Sequence, residues 1–156
     1  MNETCDMRDW QVRPAVPSDL HALIELYGHL NPDEPPPHSA RAEGAWDEVL
    51  RSNCATVFVI EGSEGKLISS CCLAIIPTLT HGAKPFGVIE AVVAHAEYRR
   101  RGCGSAVLKA AIGAPQAAGC YKLCLATGST RETTLRFYEN AGFKRGTKTF
   151  FERRWV

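Results

Sequence analysis

The junction VVAHAEYRRRGCGSAVLKAAI, residues 92–112, constrains the fold more than any other part of the sequence. An apolar run typical of a buried strand ends there, three arginines follow, and two glycines precede a segment with helical periodicity. A helix that begins directly after such a turn has N–H groups without acceptors, and its dipole favours an anion beside them. Gly102 and Gly104 would allow a phosphate to approach the backbone closely. The junction therefore predicts a fold of layered strands and helices that carries a phosphate-binding loop.

Strand and helix patterns alternate along the rest of the chain, which predicts a mixed sheet with helices on both faces. We expect strands at Trp10–Val16, Ala55–Glu61, Lys66–Ile76, Phe86–Ala94, Tyr121–Thr127 and Thr147–Trp155. Helices are expected from Pro17–Asp19 with Ser18 as N-cap, over Ser39–Leu50, from about Gly104, and over Thr130–Gly142 with Gly142 as the terminating glycine. Gly113 and Pro115 should kink the third helix or end it early.

Composition excludes several classes of protein. A chain of 156 residues is most simply one domain, here 1–156, and a net charge of +1 provides no bulk attraction for nucleic acid or an anionic membrane. No apolar run approaches the length of a membrane span, and the start, MNETCDMRDW, lacks the apolar region of a signal peptide. We therefore expect a cytoplasmic protein.

Seven cysteines raise the question of disulfides or a metal site. Cys54, Cys71, Cys72 and Cys124 fall inside apolar runs, and no C-x-x-C pair is accompanied by a matching set of histidines. We expect these four to be buried free thiols in a reducing compartment, with no metal bound. Cys103, between the two glycines of the loop, is expected to be incidental.

The loop does not fit two common phosphate motifs. A Walker loop needs Gly-Lys-Ser/Thr, and a dinucleotide loop needs a third glycine where this chain has Val107. The spacing R-x-x-G-x-G, from Arg99 to Gly104, instead resembles the acetyl-coenzyme A loop of the GNAT superfamily of N-acetyltransferases. The strand before it ends in the apolar pair Val92 and Val93, and FYENAGF at 137–143 resembles a second box of that family on the helix after the next strand. Motifs support the match over 86–143, and pattern alone supports it over 10–76.

The resemblance implies an α/β (α+β) fold, with a mixed, mostly antiparallel sheet of about six to seven strands and about four helices. It implies acetyl-coenzyme A as co-substrate, without a metal. Backbone groups of Val92 and Ala94, beside Val93, would pair with the pantetheine arm, and Tyr138 would protonate the departing thiolate. Arg99, the first residue of the motif, would belong to the coenzyme site, and the pyrophosphate would be held by the main-chain N–H groups of the loop after it, namely Arg100, Arg101, Gly102, Cys103, Gly104 and Ser105. Arg131 occupies a position where many members carry an asparagine near the pantetheine, so its guanidinium would face the adenosine phosphates or an acidic substrate group.

Glu90, two residues before Val92, is the first choice for the base that accepts the proton of an amine, although it would alternatively only bind that amine. His81 and His95 are alternatives, each expected to be a solvated loop histidine. Because no cysteine or serine has the arrangement of a nucleophile with a base, we expect direct attack by a primary amine in a ternary complex.

A small-molecule amine is the expected acceptor, and a protein N-terminus or lysine is the other choice. The competing class is a sensor or structural module that binds acetyl-coenzyme A without turnover, and the presence of Tyr138 favours the enzyme. The last predicted strand, Thr147–Trp155, would pair with a second copy in a homodimer.

Overall fold

The computed structural model describes residues 10–155, and a five-stranded sheet lies at its centre. The strands follow one another in chain order: β1 Val12–Pro14, β2 Ala55–Glu61, β3 Leu67–Ile76, β4 Phe86–Ala94 and β5 Leu123–Leu125. Strands β1 to β4 pair antiparallel, whereas β4 and β5 run parallel. The sheet is mixed, as predicted, but between residues 10 and 155 it has five strands and not six to seven.

Four α-helices cover the two faces of the sheet: α1 Leu20–Tyr27, α2 Ser39–Arg51, α3 Cys103–Ala117 and α4 Glu132–Asn140. The first two helices pack on one face around buried Leu23, Leu26 and Trp46. The other face is covered by α3 and α4, with Val107 and Leu108 of α3 fully buried. Burial of apolar surface on both faces is what holds the sheet between its helices. None of the described helices is long and apolar enough to span a bilayer.

The first helix begins differently from the prediction. A single 3₁₀ turn, Pro17–Asp19, precedes α1, and Ser18 does not act as N-cap. The Asp19 carboxylate instead accepts the Val16 N–H at 2.8 Å and two N–H groups of Arg13 at 2.7 and 3.0 Å. The Arg13 guanidinium lowers the pKa of Asp19 and so keeps this carboxylate ionised, and an ionised carboxylate is a stronger acceptor than the neutral hydroxyl of Ser18. The ion pair fixes α1 against the first strand.

The third helix continues through Pro115 and ends at Ala117, so the expectation of an early end is wrong. A proline in the last turn removes only one helical hydrogen bond, and its ring here is buried. The ring packs beside Gly87 of β4, where an added Cβ would lie 3.3 Å from Pro115 Cβ and 2.6 Å from Leu123 Cδ1. Gly87 thus permits close packing of α3 on the parallel pair β4–β5.

The C-terminal segment, Thr147–Trp155, forms no strand, so that prediction is wrong as well. Phe150, Phe151 and Trp155 are exposed to 69, 87 and 80%. Adjacent phenylalanines break the period-2 alternation, and β5 offers an edge of only three residues for pairing. The segment therefore lies beside the sheet without joining it.

The cysteines follow the prediction in part. Cys71 is buried and Cys72 and Cys124 are half-buried, but Cys54 is exposed because it lies in the turn before β2, where its N–H donates to Ser52 Oγ. All six cysteines between residues 10 and 155 are free thiols, and this part of the chain contains no cluster of metal-binding side chains. Cys103 is fully buried, with its thiol 3.3 Å from the Tyr98 carbonyl.

Candidate active site

The end of β4 diverges from β5 and leaves an open strand edge. The two strands pair only from Gly87–Leu123 to Ile89–Leu125, whereas β4 continues to Ala94. A bulge at Ala91, whose φ is 50°, shifts the register with β3 at the same level. Among the described residues no strand pairs with the β5-facing edge of 90–94, so its backbone groups can bind an extended ligand.

The predicted phosphate loop leads from this strand into α3. Arg100 and Gly102 have positive φ values of 63° and 83°, and α3 begins at Cys103 without a capping side chain. The N–H groups of its first turn are therefore open to an anion. Trp10 Nε1 donates to the Arg101 carbonyl at 3.0 Å and holds the loop in this conformation. Nothing in the sequence indicated this contact, because it links residues 91 positions apart.

The three arginines of the loop diverge. The Arg99 guanidinium donates to the Ala94 carbonyl at 3.4 Å and to the His29 carbonyl at 3.0 Å, beside the end of α1. Arg101 lies over the Tyr98 ring, 5.3 Å from its centroid, and Arg100 is exposed. An added Cβ on Gly104 would be 3.7 Å from the Phe137 ring of α4, an ordinary contact. Because the three arginine side chains contact different neighbours, an anion in the loop would be bound mainly by backbone N–H groups.

Tyr138 and Glu90 line the same cavity, of about 960 Å³, which lies between β4, β5, α4 and residues 142–150. Tyr138 is half-buried, with edge-on contacts to Phe137 and Phe143 at centroid distances of 5.0 and 6.3 Å. Burial raises the pKa of the Tyr138 phenol, and the nearby acidic groups of Cys71 and Glu90 raise it further. The phenol therefore keeps its proton at neutral pH and can act as an acid.

Glu90 is exposed, and it lies on the side of the sheet that faces α1. Its cross-strand partner is Cys72, which packs against the cluster formed with α1 and α2, and directly paired residues share a face. Tyr138 belongs to α4 on the opposite face, so the cavity reaches both faces through the gap between β4 and β5.

The alternative bases lie elsewhere. His81 is in a turn with positive φ before β4, and its ring stacks on Tyr121 at 3.9 Å. His95 is buried to 91% and packs against His29, so the expectation of a solvated loop histidine is wrong for it. Its backbone N–H donates to the Ile68 carbonyl at 2.8 Å, which fixes it beneath the loop. Arg131 precedes α4 with an exposed side chain and does not line the cavity.

Three lysines that line the cavity were not predicted from the sequence to be site residues. Lys122, Lys144 and Lys148 line it and form no ion pair with another described residue. The Lys122 ammonium lies 5.0 Å from the Phe86 ring centroid and 5.6 Å from that of Tyr121. These lysines come from two separated segments, which only the fold brings together. They add positive charge to the cavity lining, which also contains Glu90 and the Arg145–Glu139 ion pair.

These features fit acetyl-coenzyme A. An open strand edge can pair with the amides of its pantetheine arm, and an uncapped helix N-terminus beside that edge can bind its diphosphate. The positive φ of Gly102 provides the turn between these two sites without the strain that a Cβ would add.

Gly102→Ala should weaken acetyl-coenzyme A binding by about tenfold and cost about 1 kcal/mol of folding stability, because alanine is strained at φ 83°. Gly119→Ala is the matched control, since Gly119 has a φ of 71° in open space at the other end of α3. It should lose similar stability and keep its affinity. Calorimetric titration and urea unfolding measure the two quantities, and equal affinities in both variants would contradict the assignment of the loop.

Comparisons with known proteins agree with this geometry. The model of the family described as "Acetyltransferase (GNAT) family" matches residues 20–143. A glucosamine 6-phosphate N-acetyltransferase of Trypanosoma brucei brucei is 32% identical over 139 residues, which cover 89% of this chain and 92% of that protein. A solved structure from Agrobacterium tumefaciens str. C58, described as an acetyltransferase, is 36% identical with a TM-score of 0.85, over 92% of this chain and 99% of that one. Human N-alpha-acetyltransferase 30 is 35% identical over 82 residues, 51% of this chain and 23% of its own length. The chain therefore belongs to the acetyltransferase (GNAT) family.

Proposed function

We propose that this acetyltransferase transfers an acetyl group from acetyl-coenzyme A to the primary amine of a small amino-sugar phosphate, by direct attack in a ternary complex. The observation that carries the proposal is the shared cavity, in which Glu90 and Tyr138 reach one space beside the open edge of β4. A carboxylate and a protonated phenol are the two groups that this reaction needs, one to accept a proton and one to return a proton.

Main-chain N–H groups from Arg100 to Ser105 would hold the diphosphate, and the 92–94 edge of β4 would align the pantetheine arm. Arg131, at the start of α4, would add positive charge on the adenosine side. When bound, acetyl-coenzyme A supplies the acetyl group as an activated thioester. The backbone beside that thioester would stabilise negative charge on its oxygen.

Glu90 would accept a proton from the ammonium form of the acceptor, so that the nitrogen lone pair becomes available for the new N–C bond. Tyr138 would give its phenolic proton to the departing sulfur as the C–S bond breaks, while the new amide nitrogen loses its second proton to water. Water would then return a proton to the phenolate and take the proton held by Glu90, so that both groups are reset for the next turnover. Its raised pKa keeps that proton in place between turnovers.

The three lysines of the cavity lining support a phosphate on the acceptor. Lys122, Lys144 and Lys148 have no carboxylate partner among the described residues, so their charges are available to an anionic ligand. The name of the trypanosome relative specifies an amino-sugar phosphate, and that relative matches along nearly the whole chain.

Release of free thiol from acetyl-coenzyme A tests the proposal. We expect turnover with glucosamine 6-phosphate, a KM at least about tenfold higher with glucosamine, and none with N-acetylglucosamine 6-phosphate, which has no free amine. A peptide with a free N-terminus belongs in the same panel because of the partial match to an N-terminal acetyltransferase. Turnover of the peptide alone would overturn the sugar-phosphate assignment, and tight coenzyme binding without any turnover would favour the sensor.

A homodimer is also part of the proposal. Phe150 lines the cavity together with the short outer strand β5, and Phe151 and Trp155 are exposed in the same segment. Apolar groups of this kind are covered when a second copy pairs with the segment. Sedimentation of the wild type at micromolar concentration should give twice the mass of the chain, and a monomer there would exclude stable pairing.

A further inference from the structure

Arg99 connects two parts of the proposed site: the end of α1, which lies on the Glu90 side of the sheet, and the start of the loop 99–105, which we propose binds the coenzyme. Its Nε donates to the carbonyl of Ala94, the last residue of β4, and its terminal nitrogen donates to the carbonyl of His29. His29 follows the last turn of α1 directly, where carbonyl groups lack helical partners. A guanidinium at this position satisfies one of them and interacts favourably with the negative end of the helix dipole.

A pair of imidazoles in tilted contact lies at the same junction. The rings of His29 and His95 are 4.0 Å apart between centroids, with an interplanar angle of 50°. His95 is fixed on the sheet side, because its N–H donates to the Ile68 carbonyl and its Nδ1 accepts the Glu97 N–H at 3.3 Å. Tyr98 packs edge-on against its other side. The His29 ring therefore packs against a fixed neighbour, and the His29 carbonyl accepts a hydrogen bond from Arg99.

The position of α1 affects the acceptor side of the site, because α1 packs on β3, and β3 pairs with the part of β4 that carries Glu90. Tyr27, two residues before His29, packs against the same buried cluster as Cys72, and burial raises the pKa of its phenol. Cys72 is the direct cross-strand partner of Glu90. The end of α1 and the Glu90 carboxylate therefore lie on the same face of the sheet, on either side of Cys72.

We propose that Arg99 and the His29–His95 pair are positioning residues that hold α1, and with it the acceptor side of the cleft, against the coenzyme loop. This inference rests on the proposed function, since it concerns the acceptor of that same reaction. The side chain of Arg99 acts here toward α1, while the backbone after it remains the anion site.

The junction is sensitive to acid. His95 is faced by the His29 imidazole, by Lys66 before β3 and by Arg99, with only the Glu97 carboxylate in opposition. Burial, followed by the neighbouring positive groups, lowers the pKa of His95. The junction is therefore intact while the His95 ring is neutral, and it loosens as pH falls below the ordinary histidine value of about 6.5.

Arg99→Ala should raise the KM for glucosamine 6-phosphate by about tenfold and leave the Kd for acetyl-coenzyme A within about twofold. Arg99→Lys, which retains the charge, should recover part of that loss, and Lys109→Ala on the exposed side of α3 is the control for loss of a surface charge. A tenfold weaker Kd with an unchanged KM would overturn the inference, because the guanidinium would then serve the coenzyme.

The pH dependence provides a second readout. Between pH 7 and 5.5 the acceptor KM of the wild type should rise more steeply than that of His95→Gln, in which the buried side chain can still accept the Glu97 N–H but cannot gain a charge. Both enzymes meet the same substrate ionisation, so the difference belongs to the junction. Identical profiles would overturn this part of the inference.

Amide hydrogen exchange separates failure of this inference from failure of the proposed function, because it needs no acceptor. In Arg99→Ala the N–H groups of residues 28–31, which bond to carbonyls in the last turn of α1, should exchange faster than in the wild type. Unchanged exchange would contradict the junction. A wild type that fails to acetylate glucosamine 6-phosphate would instead contradict the proposed function.

Discussion

Tyr138→Phe should lower kcat by about 10² to 10⁴-fold and leave the Kd for acetyl-coenzyme A within about twofold. Phenylalanine fills the same volume between Phe137 and Phe143, so the packing of α4 is preserved and only the phenolic proton is lost. Stopped-flow measurement of thiol release and calorimetric titration of the coenzyme give the two quantities. A loss of affinity equal to the loss of kcat would show that the hydroxyl binds ligand and does not transfer a proton.

Tyr121→Phe is the matched control, because Tyr121 stacks on His81 beside the start of β4 and its ring needs no hydroxyl for that contact. The raised pKa of Tyr138 adds a prediction for pH. Its phenol stays protonated up to and beyond the ordinary tyrosine value of about 10, so kcat of the wild type should not fall through this group below that pH. An alkaline decline near pH 8 that disappears in Tyr138→Phe would contradict the assignment.

The sequence predicted the elements around the coenzyme site closely. Strand β4 has the predicted bounds Phe86–Ala94, and α3 begins one residue before the predicted start. Both predictions were correct for a physical reason. A glycine-containing turn interrupts an apolar run through local steric preferences, so the end of the strand and the start of the helix can be located from the sequence alone. Gly142, with a φ of 95°, ends α4 for the same reason.

Long-range contacts were not accessible from the sequence. The Arg99–His29 contact joins residues 70 positions apart, and the Trp10–Arg101 contact joins residues 91 apart. His95 was predicted to be a solvated loop histidine because it packs against His29, a residue after α1 that is far away in sequence. The prediction of a last strand at Thr147–Trp155 was wrong because a strand needs a partner edge. Whether such an edge is available depends on the arrangement of the whole sheet and not on the local sequence pattern.

Glu90 illustrates how the fold completes a site that the motif only suggests. In regular pairing the residues after Glu90 would continue alternating between the faces, but the bulge at Ala91 adds one residue to β4. A non-glycine residue with positive φ costs on the order of 1 kcal/mol, and it persists here where the edge of β4 becomes free. The carboxylate lies immediately before the bulge and faces the α1 side, while the backbone after it forms the open edge that we propose as part of the coenzyme site.

Glu90→Gln should therefore lower kcat/KM by about 10² to 10³-fold at pH 7, with the loss becoming smaller as pH rises. Glutamine is isosteric and can still hydrogen-bond an amine, but it cannot accept a proton, so the variant depends on the fraction of acceptor that is already neutral. That fraction grows about tenfold per pH unit below the pKa of the amine, which gives the variant a steeper alkaline rise than the wild type. Glu43→Gln, an exposed carboxylate on α2, controls for loss of one negative charge. Parallel pH profiles for the wild type and Glu90→Gln, with a difference in KM alone, would mean that Glu90 binds the acceptor and another group removes the proton.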